Sequence, residues 1–190
     1  MDRASLAAWM PWLFVLVGVA AGAVTDLRAR RIPNALTGPL FFLALVWAIA
    51  MGGLPGLREA ALGCLVAAGP FVFLFLFAGG GAGDAKLMGA VGAWLGVEAG
   101  LLALVYVFVV GIALAIYFAA REGKLWYSIK RVGQVALRLL LLITPHRRFA
   151  FTGGSGAVPA DSVRMPYGLA IFIGVWATAA HAWYYPELLW

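Results

Sequence analysis

Two aspartates in an otherwise apolar chain are the residues equipped for chemistry. Asp84 sits inside Gly79-Gly80-Gly81-Ala82-Gly83-Asp84-Ala85-Lys86-Leu87, between two long hydrophobic runs, and Asp26 closes the first such run. A carboxylate placed where apolar segments meet is costly to keep near lipid, and its position reads as functional. The glycines beside Asp84, Gly81 and Gly83 among them, remove side chains and allow backbone angles closed to other residues, so a polypeptide substrate can approach the carboxylate closely. One acid alone makes a weak hydrolase. Two that share a proton supply both a base and an acid. Like charges held close in a poorly hydrated place cannot both ionise easily, so one carboxyl keeps the shared proton. The ionised member would activate water against a peptide carbonyl, and the protonated member would donate to the developing oxyanion. Because a coupled pair titrates as a unit, neither role belongs to one residue.

The elements that must hold such a pair follow from composition. Of 190 residues, 64% are hydrophobic and 12% charged, and mean hydropathy is +0.96. A soluble domain is about half apolar and about a quarter charged. The expected fold class is therefore all-α, a polytopic membrane helical bundle forming one domain over residues 1–190. A net charge of +6 does not point to nucleic acid, because the basic residues follow the loops and form no basic domain. The single Cys64 can build neither an intramolecular disulfide nor a Cys-based zinc site. No cofactor and no metal is expected.

A membrane-crossing helix needs about 20 apolar residues. Residues 6–25 fit. They read as a retained span and not a signal peptide, since the run is too long for a signal core and ends in Asp26 and arginines. Trp9 and Trp12 stand where an interfacial aromatic belt belongs. Ile32-Pro33-Asn34 then breaks the chain, with Asn34 a candidate N-cap. A second span covers 35–51. After a Gly/Pro turn at 52–56, followed by Arg58 and Glu59, a third covers 60–78. The run 87–120 is interrupted at Gly96-Val97-Glu98-Ala99-Gly100, giving a short fourth helix of about 20 Å and a fifth.

Residues 123–144 carry apolar and basic positions on different faces, the pattern of an amphipathic helix lying on the inner leaflet. Residues 152–156 read as a flexible linker, and a sixth span runs from about 165 to 183. Six crossings put all fourteen Lys and Arg except Arg3 and Arg58 on the cytoplasmic side. Asp26 and Asp84 then share the inner boundary.

Other readings use the same residues. As plain interfacial charges, Asp26 would pair with Arg28 or Arg30 and Asp84 with Lys86, while Lys86 would otherwise anchor to phospholipid. Glu98 belongs at an outer turn. His146 and His181 fall on opposite sides and are structural. A small proton-coupled transporter would use the aspartates as a proton relay, but it calls for acids near the midplane and a repeated half. The sequence offers neither. A structural assembly subunit would tolerate loss of both aspartates.

The string Gly81-Ala82-Gly83-Asp84-Ala85-Lys86-Leu87 resembles the GxGDxKL signature of type IV prepilin peptidases, which are membrane aspartic proteases. Asp26-x-Arg28, Ile32-Pro33-Asn34 and Thr37 are similar to that family's first-aspartate region. Pro166-Tyr167-Gly168 resembles its late PYG element, and residues 89–96 continue family-like text. The resemblance covers residues 26 to about 174. It implies that Asp26 and Asp84 are the catalytic pair and that Gly81, Gly83, Lys86, Pro166, Tyr167 and Gly168 shape the site. It also implies that no metal is needed and that the partner is a prepilin or pseudopilin precursor, cut after its short basic leader at the cytoplasmic face of a bacterial inner membrane.

Longer family members carry an extra cytoplasmic region, often with zinc-binding cysteines, and methylate the new N-terminus. Only residues 29–33 occupy that place here. The chain resembles the short form serving Flp-type tight-adherence pili, a peptidase without the methyltransferase region. Presenilin-like proteases share GxGD but lack the Lys-Leu continuation.

Overall fold

The computed structural model describes residues 3–78, 80–123 and 166–185. Among them every regular element is a helix: α1 (Arg3–Ala29), α2 (Asn34–Ala78), α3 (Ala82–Arg121) and α4 (Tyr167–Tyr184). Trp9–Ala29, Asn34–Leu76 and Ala82–Arg121 are long and apolar enough to cross a membrane. Of the expected amphipathic helix at 123–144 all but Gly123, together with the linker at 152–156 and His146, lies outside the described residues.

α2 and α3 have 45 and 40 residues. Drawn straight at about 1.5 Å per residue, each would span roughly twice a 30 Å hydrocarbon core. Neither is straight. α2 breaks at Gly53 (φ 60°, ψ −141°) and α3 at Gly96 (φ 74°, ψ −168°), left-handed angles that glycine adopts at little cost. Both breaks fall inside the glycine-rich interruptions expected from sequence. The chain turns back at each. A Cβ on Gly100 would lie 3.4 Å from Gly92 Cα, whereas eight residues of unbroken helix cover about 12 Å.

The returning arms pack through small residues. In lipid, helices gain little from hydrophobic burial against each other, and close backbone approach supplies the contact. A Cβ on Gly63 would collide with the Gly92 and Gly96 carbonyls, and one on Gly92 with the Gly63 carbonyl. At the same seam a Cβ on Gly89 would press on Cys64 Sγ at 3.2 Å. Around it lies a core of fully buried Val15, Val19, Leu87, Met88, Val91, Val107, Ile171 and Val175. Polar stitches hold the arms in register. Trp94 Nε1 donates to the Leu40 carbonyl at 2.9 Å, and the Val97 N–H, exposed by the Gly96 break, donates to Glu59 Oε1 at 3.1 Å. Glu98 is exposed just past the break.

α4 runs antiparallel to α1. Trp9 and Trp183 pack tilted at 48° with centroids 5.0 Å apart at one end, and Asp26 meets Gly168 at the other. α4 also lies along the second arm of α3, where Tyr106 Oη and His181 Nδ1 are 2.8 Å apart.

The Gly63–Gly92 seam makes a prediction. Gly92→Ala forces the two backbones apart and is expected to cost about 1–3 kcal/mol, read as a lower unfolding midpoint of the detergent-solubilised protein. Gly52→Ala, where a Cβ meets nothing within 4 Å, is expected to leave that midpoint unchanged or raise it.

Candidate active site

The site begins where α1 ends. Arg30 takes a left-handed φ of 51° and its N–H donates to the Asp26 carbonyl at 2.8 Å, closing the helix. The chain then turns through Ile32, which is buried, and the Pro33 carbonyl accepts the Leu36 and Thr37 N–H groups to start α2. Asn34 was the expected N-cap. It is instead the first residue of α2, and its Oδ1 accepts from Lys86 Nζ at 2.8 Å. The first turn of α3 seats on this turn because Gly83 has no side chain: a Cβ there would be 3.1 Å from Ile32 Cβ and 3.3 Å from the Ile32 carbonyl.

That seating brings the aspartates to one place. α1 and α3 touch at Gly22 and Leu87, where a Cβ on Gly22 would be 2.9 Å from Leu87 Cδ2. One helical turn beyond Gly22 stands Asp26, and one turn before Leu87 stands Asp84, in the same direction along the bundle. The two carboxylates are close enough to act on each other electrostatically, and Asp84 acts likewise on Tyr167. Asp84 is half-buried in the first turn of α3, where the helix dipole favours negative charge. Gly81 caps that helix, and a Cβ on it would collide with Asp84 Oδ2.

Asp26 is 8% exposed, and it is the single charged side chain among the described residues that is buried. Its Oδ2 accepts the Gly168 N–H at 2.8 Å. α4 has Pro166 at its N-cap with no side-chain cap of its own, so a carboxylate from another helix satisfies one of its free donors. Only glycine fits at 168, because a Cβ would lie 2.9 Å from Asp26 Cβ and 3.0 Å from Oδ2. Tyr167 packs edge-on against Phe71 with centroids 5.6 Å apart, and its hydroxyl lies against Gly111.

Asp26, Asp84, Gly81, Gly83, Pro166, Tyr167 and Gly168 therefore converge at one end of the bundle. Lys86 stands apart from them, tied to Asn34. Among the described residues neither carboxylate forms an ion pair with Arg28, Arg30 or Lys86. Sequence reasoning missed three partners: the Gly168 N–H as the donor to Asp26, Asn34 as the acceptor from Lys86, and Glu59 as the acceptor at the Gly96 break. The unpaired helix start after Pro166 was the one available hint for the first.

Fold and site define a class: a protein helical in every regular element of its described residues, with helices long and apolar enough to cross a membrane and two acidic side chains at one end. Residues 6–116, more than half of the chain, match the type IV leader peptidase family, and the chain belongs to it. The match includes Asp26 and Asp84 and stops short of α4. Comparison with curated proteins and with solved structures finds no match. Membership makes this a membrane protein with a leader-peptidase type of function.

Gly168→Ala tests the α1–α4 joint. The added methyl displaces Asp26 from the Gly168 N–H, and a buried hydrogen bond broken in this way costs about 1–3 kcal/mol. A lower unfolding midpoint is expected, with Asp26→Ala producing a drop of the same order.

Proposed function

We propose that the chain is an aspartic endopeptidase that removes the short basic leader from type IV prepilin or pseudopilin precursors, with Asp26 and Asp84 as the catalytic pair. The observation that carries this reading is the seating of Gly22 on Leu87 and of Gly83 on Ile32, which sets Asp26 and Asp84 at one end of the bundle, in a chain of the type IV leader peptidase family. In the proposed reaction the pair shares one proton. The ionised carboxylate takes a proton from water as the water oxygen bonds to the scissile carbonyl carbon. The protonated carboxyl donates to the oxyanion; the proton gained from water then passes to the departing amine as the C–N bond breaks, while a hydroxyl proton of the tetrahedral intermediate returns to the carboxylate that had donated, restoring the shared-proton pair. Gly81, Gly83 and Gly168 would leave room for an extended backbone beside the pair, and Tyr167 would flank it.

In this reading the six helical segments, with α2 and α3 each counted as two arms, cross a bacterial inner membrane and place the pair at the cytoplasmic rim. The bias of Lys and Arg toward that side supports the orientation. The substrate would present its basic leader in the cytosol and its apolar segment in the bilayer. The short α1–α2 turn supports a peptidase of the Flp-pilus type, without the methyltransferase region.

The test is cleavage of a precursor peptide by the protein in liposomes. Asp26→Asn and Asp84→Asn are each expected to lower kcat by about 10²–10⁴-fold while the protein remains folded. Normal cleavage by either variant would remove the dyad from the mechanism. Proton-driven uptake that persists without peptidase activity would replace the reading with a transporter.

A further inference from the structure

Tyr167 brings to the acidic end a hydroxyl that the reaction above leaves unused. It is the first residue of α4, and the N–H of the next residue, Gly168, is fixed to Asp26 of α1 at 2.8 Å. From that anchored backbone the side chain reaches across the bundle. Its ring meets Phe71 of α2 edge-on at 5.6 Å, and Phe71 in turn stacks on Phe108 of α3 at 5.5 Å. The hydroxyl ends against Gly111, on the returning arm of α3.

Gly111 makes that last contact possible. It is buried inside α3, and a Cβ on it would collide with Tyr167 Oη and lie 2.9 Å from Cζ and 3.2 Å from Cε2. Gly111 is not among the glycines with positive φ, so it answers a need for space and not for backbone freedom. A glycine within a helix weakens it. An alanine at 111 facing a phenylalanine at 167 would fill much the same volume and strengthen the helix. The chain instead keeps a phenol and makes room for its oxygen.

Among the described residues that half-buried hydroxyl makes no hydrogen bond. A tyrosine O–H withdrawn from water normally has a partner, and Gly111 has no side chain to supply one. Asp84 acts on Tyr167 through space but accepts no hydrogen bond from it. A gap therefore separates phenol and carboxyl, and polar groups held apart in this way call for a bridging atom. The bridge must accept from the phenol and lie beside the acidic pair. The oxygen of a peptide carbonyl under attack meets both conditions.

We propose that the Tyr167 hydroxyl donates a hydrogen bond to the scissile carbonyl oxygen of the bound substrate, and that Gly111 is the positioning residue that aims it. The proposal rests on the peptidase reading above for its substrate. The phenol keeps its proton throughout and serves as a second donor to the oxyanion, beside the protonated carboxyl. A donor held in place by α1, α2 and α3 before substrate arrives needs no rearrangement as the charge develops.

The experiment uses the full chain in phosphatidylcholine–phosphatidylglycerol liposomes with a synthetic precursor peptide. Tyr167→Phe removes one oxygen and leaves the ring on Phe71. It is expected to lower kcat by about 10²-fold with KM and the unfolding midpoint little changed, a split that a purely structural tyrosine would not give. Gly111→Ala, which displaces the hydroxyl, is expected to lower kcat by about 10²-fold as well. The double variant is expected to be no slower than Gly111→Ala alone, since both changes remove one and the same hydrogen bond. Binding gives a readout that needs no turnover: for a peptide with a hydroxyethylene group in place of the scissile amide, Tyr167→Phe is expected to raise Kd about tenfold. Unchanged kcat and unchanged isostere affinity in Tyr167→Phe would overturn the proposal and leave the peptidase reading standing. Losses that multiply in the double variant would overturn the role of Gly111. Isostere binding that depends on Tyr167 in a protein that cleaves no precursor would uphold the donor and overturn the peptidase reading, so the two fail separately.

Discussion

A helix that starts inside a bundle must find acceptors for its free N–H groups, and for α4 one of them is supplied by Asp26. This 2.8 Å bond from Gly168 N–H to Asp26 Oδ2 joins positions 142 residues apart. Much of the site depends on it. It accounts for a carboxyl group tolerated at 8% exposure, since a buried polar group needs a partner. It sets the end of α4 on the end of α1. It also makes glycine obligatory at 168, because the carboxylate occupies the space a side chain would need. Tyr167 is carried to the acidic end by the same joint.

The second constraint is close backbone approach. Gly83 on Ile32 and Gly22 on Leu87 bring the start of α3 against the end of α1. These two contacts lie within a turn of Asp84 and Asp26, so these glycines position the aspartates. The seam of Gly63, Gly89, Gly92 and Gly96 does the corresponding work between α2 and α3. Trp94, stacked on Phe14 at 4.9 Å and bonded to Leu40, fills the space such close approach leaves between the arms.

What could be read from the sequence was what one-dimensional patterns encode. Hydrophobic runs gave helices, and glycine-rich interruptions located the breaks at Gly53 and Gly96. Charge bias and chain direction put Asp26 and Asp84 at the same end, and the short motifs pointed to the family. Partners distant in the chain were not legible. Lys86 and Asn34 are separated by 52 residues, and Glu59 and Val97 by 38. A lysine two residues after an aspartate looks like that aspartate's neighbour. On a helix, positions i and i+2 face different ways, and Lys86 reaches α2 instead. Asn34 looked like a cap because its type and its place after Pro33 suit one; the lysine claimed its carbonyl oxygen, and the Pro33 carbonyl took over the backbone role.

The fold-back of α3 is required by the site itself. The Tyr167 hydroxyl lies against Gly111, and Asp84 acts electrostatically on Tyr167. Along an unbroken helix, 27 residues would put Gly111 about 40 Å from Asp84, and no tyrosine spans that gap. Tyr167 lies close to both only if α3 reverses between them, and Gly96 is where its backbone leaves the helical region. The reversal exposes the Val97 N–H, which Glu59 accepts from the arm of α2 that has itself turned back at Gly53. The far end of the bundle therefore bears directly on the acidic end: a glycine with left-handed angles and the glutamate opposite it set the return path that brings Gly111, Tyr167 and Asp84 to one level.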